Sequence, residues 1–256
     1  MRFTGIVACA ALWAVLAGCA TSASTDQAPA APSLKQVAFK AAVDDASGQS
    51  TADVYDGLFP LNDGNPKLVW RNPAEKRQLK VVSLMSQAAY DKYYKGVPGG
   101  TTSGVYAWVT LAPQVQAFCR STGLSGDALK DRLREHLGLV PDRPYDMFVE
   151  LWVDRTDLFR PCPDPETDDT ACNVAFPVAN GLPVAPKVKG VDDYLAWFNG
   201  TYAWAYAPGG APWTRLGYTY DWNPDTPKFG ASEYLITKGA VWEVAGAAPV
   251  DGYCRR

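Results

Sequence analysis

Met147-Phe148-Val149-Glu150-Leu151-Trp152-Val153 is the stretch whose reading decides the fold. Its β-branched and aromatic residues favour an extended chain, and apolar side chains stand at both odd and even positions. A strand that is apolar on both faces belongs in the middle of a sheet covered on both sides. Glu150 is the exception. It alternates with Phe148 and Trp152, and a carboxylate buried there needs a partner or a raised pKa. It is read as a paired structural glutamate.

On the N-terminal side, Lys67–Arg71, Leu79–Ser86 and Val105–Leu111 read as further strands. Ala88–Lys95 reads as a short helix ended by Gly96, and Gly99–Gly104 as a loop. Pro113 opens a helix that runs to Arg120. Ser125–Leu137 has the clearest helical pattern: Ser125 as cap, Leu129, Leu133 and Leu137 as one stripe, Gly138 as the stop. His136 is read as lying off that stripe, as a solvated surface residue.

On the C-terminal side, eight prolines between Pro141 and Pro186 exclude a long helix or central strand through most of that region. Asp192–Ala205 reads as a helix rich in core aromatics, and Trp213–Trp222 as an alternating strand. Glu233–Thr237 and Ala240–Ala245 are expected to pair as a hairpin around Lys238-Gly239. The sum is one α+β domain over 37–256. It has a mixed central sheet, several helices and a Pro-rich, disulfide-bonded loop region.

Composition sets the outer limits. The 256 residues carry 24 basic and 27 acidic side chains and one histidine. They are enough to bury a real core. A formal net charge of −3 gives no ground for a nucleic-acid partner. A single histidine excludes most zinc sites, and a GxxxxGK phosphate loop is absent. Asp164, Glu166, Asp168 and Asp169 do not follow the spacing of a calcium loop, so they are read as solvated and no metal is expected.

Residues 1–18 read as a signal peptide: Arg2 precedes an apolar run from Ile6 to Leu16, too short to span a bilayer. Leu16-Ala17-Gly18-Cys19 resembles the lipobox of bacterial lipoproteins, which implies cleavage before Cys19 and acylation of that cysteine. The implied partner is a lipid bilayer, held through buried acyl chains. Ala20 in place of Asp resembles the sorting signal for the outer membrane of Gram-negative bacteria. The mature chain then carries 23 basic and 27 acidic groups, a formal net of −4. Cys19 to Gln36, rich in Ala, Ser, Thr and Pro, reads as a tether with a reach of roughly 20–25 Å.

Four cysteines remain, and four allow three pairings. Cys162 and Cys172 enclose a short loop and are paired, which leaves Cys119 with Cys254.

Three separated segments resemble the ADP-ribosyltransferase superfamily. They are Leu68-Val69-Trp70-Arg71, the stretch Trp108–Phe118 (WVTLAPQVQAF), and the stretch Ser232–Val244 (SEYLITKGAVWEV). Phe148–Arg160 is similar to the central strand and the corner after it in such domains. The resemblance implies that Glu233 is the catalytic carboxylate and that Arg71 and Thr110 bind NAD. NAD is the implied substrate, with no tightly held cofactor. A carboxylate beside the ribose stabilises the oxocarbenium character that develops as the nicotinamide bond breaks, and an arginine fork suits a pyrophosphate.

Two other classes stand beside this one. A non-enzymatic envelope or ligand-binding lipoprotein would use some of the 9 Trp and 13 Tyr to stack on rings. A glycan hydrolase would pair Glu150 with Asp221 or Glu233 across a cleft.

Overall fold

The computed structural model describes residues 31–104 and 106–255. The signal peptide, Cys19 and most of the expected tether lie outside the described residues.

Helix α1 (Leu34–Ser47) begins inside the stretch expected as tether. Ser33 and Gln36 form a reciprocal capping box, which satisfies two helix-end donors and starts the helix there. The chain continues through β1 (Gln78–Met85), α2 (Gln87–Tyr93), β2 (Gly99–Thr101), β3 (Ala107–Leu111), α3 (Ala112–Ser121) and α4 (Gly126–His136). After β4 (Met147–Asp154) come the short β5 (Leu158–Phe159), β6 (Val178–Ala179) and β7 (Leu182–Pro183). Then follow α5 (Tyr194–Ala205), β8 (Tyr218–Tyr220), β9 (Phe229–Ile236), β10 (Val241–Pro249) and α6 (Val250–Arg255).

The main sheet has eight strands in the order β2-β10-β4-β1-β3-β9-β5, with β8 on β9. Its pairings are antiparallel. β4 sits inside the sheet between β10 and β1, as its two-faced apolar pattern requires. Val149, Leu151 and Val153 pack on one side with Leu79, Val81 and Tyr234. Phe148 packs on the other with Val115, Leu129, Leu133 and Tyr253 from α3, α4 and α6. Glu150 is buried and paired with Lys80 Nζ at 3.8 Å, so the structural reading of this carboxylate stands. Both expected disulfides are present, Cys162–Cys172 and Cys119–Cys254.

Several local expectations are corrected. β9 and β10 do not form a hairpin: β9 pairs with β3, β5 and β8, and β10 with β4 and β2. Thr102 stands between the two arms of the turn. Its hydroxyl donates to Thr237 O, its N–H donates to Ala240 O at 3.0 Å, and its carbonyl accepts from Gly239 N at 2.7 Å. Those are backbone groups a hairpin needs for itself.

Gly99–Thr101 is a strand rather than a loop, because two glycines let it lie against β10. A Cβ on Gly99 would sit 2.6 Å from Trp242 O. Lys67–Arg71 contributes only a single bridge, Trp70 to Leu79. Trp213–Trp222 is strand only over β8, because Arg215 and Gly217 take φ of 59° and 75° and turn the chain. Ser125 occupies the cap position of α4 without a side-chain bond, and Gly126 N instead donates to Asp251 Oδ1 at 3.0 Å.

Candidate functional site

In the β3–β9 pair Thr110 stands directly opposite Glu233. Trp108 lies on the same face as Thr110, since side chains alternate along a strand. The end of α4 brings Leu137 across this patch. Gly138, at φ 65°, then reverses the chain and brings Leu139 beside it. The Gly209–Trp213 segment after α5 supplies the opposite wall. Gly210 is required there, because a Cβ would lie 2.0 Å from Ala205 O.

The result is a cavity of about 370 Å³ lined by Trp108, Trp204, Trp213, Tyr145, Tyr220 and Glu233 among others, with Arg143 at its edge. A second hollow of about 160 Å³ adjoins it, sharing Trp108, Leu137, Leu139, Thr219 and Glu233 and reaching Thr110.

Glu233 is the chemically unusual member. Among the described residues no hydrogen bond or ion pair reaches its carboxyl, although its backbone N–H donates to Gly217 O at 2.9 Å. It keeps partial solvent exposure on the cavity side while protein surrounds it densely. Burial pushes its pKa up to about 8. At neutral pH the group is therefore mostly protonated and can donate as well as accept. Trp213, which also lines the cavity, has a buried indole Nε1 with no hydrogen-bond partner among the described residues. Thr219 is saturated: its hydroxyl donates to His136 O at 2.7 Å and accepts from Ala231 N at 2.8 Å. Thr110 reaches only Val82 O, at 3.5 Å.

Arg71 is elsewhere. Its guanidinium is paired with Glu243 Oε1 at 2.5 Å and donates to Gln78 Oε1 at 3.0 Å. Gln78 stands roughly 13 Å along β1 from Val82, the partner of Thr110. The structure thus brings Thr110 and Glu233 together and leaves Arg71 beside a different surface hollow. Glu150 and Asp221 do not line the Glu233 cavity.

Behind the cavity lies a cluster that was expected at the surface. His136 is buried, stacked on Phe118 at 3.5 Å between ring centres, with Nδ1 at 3.0 Å from Asp221 Oδ2. Arg132 grips both oxygens of Asp221, at 3.0 and 2.7 Å. Burial lowers the His136 pKa against the opposing pull of Asp221. Burial alone would raise Asp221, but the bonds from His136 and Arg132 outweigh it and hold the carboxyl low. The i, i+4, i+7 spacing of Leu129, Leu133 and His136 already puts the imidazole on the buried face. The signal was present in the periodicity.

In the Pro-rich region the carboxylates of Asp164, Glu166 and Asp169 come within 4.8 Å of one another. Arg160, fully buried, pairs with Asp169 and supplies positive charge there. Burial, with Glu166 and Asp169 nearby, raises Asp164 to about 6.

Comparison of the chain with protein-family models, curated proteins and solved structures finds no match. The fold and the cavity define the class: a disulfide-bonded α+β domain with a carboxyl-bearing aromatic pocket set against its sheet.

Proposed function

We propose that this chain is an exported, lipid-anchored protein of the bacterial envelope that holds a small ring-bearing organic molecule in the Glu233 cavity. The observation that carries this reading is the Glu233 carboxyl, which meets no partner among the described residues and is pushed toward its neutral form in a cavity walled by Trp108, Trp204, Trp213 and Tyr220. A concave aromatic pocket holding one carboxyl of perturbed pKa is the usual form of a small-molecule site. A protonated Glu233 suits a carbonyl, hydroxyl or ring nitrogen on the ligand. Trp108 and Trp213 suit its ring faces.

NAD cleavage is the second reading, favoured by the placement of Thr110 opposite Glu233. It needs a cation for the pyrophosphate, and Arg71 is engaged with Glu243. Arg143 is the guanidinium beside this cavity.

Native mass spectrometry of the protein extracted gently from envelopes tests the first reading. A small molecule bound to the parent and lost from Leu139→Trp, which fills the cavity, supports it. An empty parent, with equal responses of parent and variant to nucleosides, indoles and monosaccharides, counts against it. Nicotinamide release from NAD by the parent and not by Glu233→Gln would favour the second reading.

A further inference from the structure

The segment from Pro177 to Val184 (PVANGLPV) is exposed at every residue and carries no charged side chain. It forms the β6–β7 ribbon, pairing Val178 with Pro183 and Ala179 with Leu182. Asn180 and Gly181, at φ 52° and 77°, make the tight turn that Asn-Gly favours. Val178 and Leu182 are 69% and 68% exposed. The base is rigid by contrast. Phe176 packs on Phe198 at 5.0 Å and Tyr194 at 6.0 Å, and Ala185 and Val188 join the same cluster. A firmly held ribbon thus projects an apolar tip into solvent.

We propose that this tip inserts into the interfacial region of the bilayer that carries the protein. The inference rests on the lipid-anchor reading of Cys19. Three observations favour a bilayer over a protein partner. The first is size: a stable protein interface needs on the order of 800 Å² and 20–30 residues from each side, far more than this tip offers. The second is hydrogen bonding. A polar backbone is costly in an apolar phase, and the ribbon limits that cost. Pro177 and Pro183 have no N–H to leave unpaired, Ala179 pairs with Leu182 across the ribbon, and Val184 N donates to Pro177 O at 2.7 Å. The third is reach. Ser33, where α1 is capped, lies only 14 positions after Cys19, so a lipid anchor at Cys19 ties the domain to the surface of its own membrane. Lys187, exposed just past the ribbon, suits lipid phosphates.

The test uses the full chain reconstituted in vesicles of phosphatidylethanolamine and phosphatidylglycerol. One sample carries a nitroxide at Leu182→Cys and another at Asp225→Cys, a charged and exposed position elsewhere. Both sites are on the surface, and the native disulfides leave no other free thiol among the described residues. The expected result is a several-fold rise in the ratio of oxygen to nickel-chelate accessibility at 182 on reconstitution, with no rise at 225. A label at 182 that stays as water-accessible as the one at 225 overturns the proposal. So does protection at 182 that appears without vesicles as protein concentration rises, because the tip then meets a second copy. The acyl mass on Cys19 is read separately: a chain found non-acylated is relabelled with Cys9 and Cys19 replaced by serine, and burial of the 182 label there supports insertion while removing the anchor reading. A chain that does not float with vesicles overturns both.

Discussion

Glu233 and Trp213 line one cavity; among the described residues the carboxyl of the first meets no partner, and the indole N–H of the second is buried without one. A carboxyl pushed toward its neutral form and an indole N–H buried without a partner both lower stability, so their occurrence around one cavity points to a site rather than to packing alone.

The Glu233 carboxyl couples folding to pH. Its folded pKa, about 8, lies above the value of about 4.3 in an unfolded chain. Between those values the folded state binds more protons, so its stability is full below the lower one and falls as pH rises through the upper. Glu233→Gln removes this dependence. Urea unfolding should show the variant close to the parent at pH 4.5 and more stable than the parent at pH 8.5, by about 2–4 kcal/mol. Parallel pH profiles would mean the carboxyl is solvated.

The His136–Asp221–Arg132 cluster acts at the acid end. His136 has a lowered folded pKa and Asp221 is also held low. Each favours the folded state while deprotonated, so each contribution is lost as pH falls below the unfolded value of its own group. Asp221→Asn leaves His136 without its carboxylate and Arg132 with Glu135 alone, at 3.5 Å, and should cost about 3 kcal/mol at pH 7. It should also steepen the loss of stability between pH 6 and pH 4, because His136 loses the carboxylate that opposes the lowering of its pKa, and should remove the further loss that Asp221 itself adds below about pH 4, measured by thermal unfolding.

The two disulfides should differ in weight. Cys119–Cys254 closes 135 residues and Cys162–Cys172 closes 10. By loop-closure entropy, replacing the first pair with alanine should cost about 5 kcal/mol and the second about 3 kcal/mol. Denaturant midpoints in the reverse order would show that the short loop carries native contacts of its own, such as those around Arg160 and Asp169.

Thr102 holds the β9–β10 corner open. Thr102→Val keeps the shape and removes the hydroxyl that donates to Thr237 O and accepts from Ala240 N at 3.1 Å. The expected cost is about 2–3 kcal/mol, with faster hydrogen exchange at Ala240. Unchanged exchange there would show that the backbone bonds of Thr102 suffice.

Local pattern carried much of the architecture. The two-faced apolar run at Met147–Val153 determined a central strand, and the Leu129–Leu133 stripe ending at Gly138 determined α4. Cysteine spacing pointed to Cys162–Cys172, and Cys119–Cys254 followed as the remaining pair. Two further signals were readable and went unread: the Ser33–Gln36 capping box and the Asn180-Gly181 hairpin turn. Glu233 was also visible as a candidate, though its sequence neighbours say nothing of its surroundings.

Tertiary structure alone decided which strands pair. Glu233–Ile236 and Val241–Val244 look like the arms of a hairpin, but contacts distant in sequence outcompete that local pairing. β9 finds β3, β10 finds β4, and Thr102 fills the gap. Tertiary structure also decided the site. Arg71, Thr110 and Glu233 form a plausible set in order along the chain, but Arg71 is bound to Glu243 on a different strand. The groups that do surround Glu233 come from β3, the segment after α4, α5 with the loop that follows it, and β8. A sequence records spacing along the chain, whereas a cavity depends on which distant surfaces fail to fill the space between them.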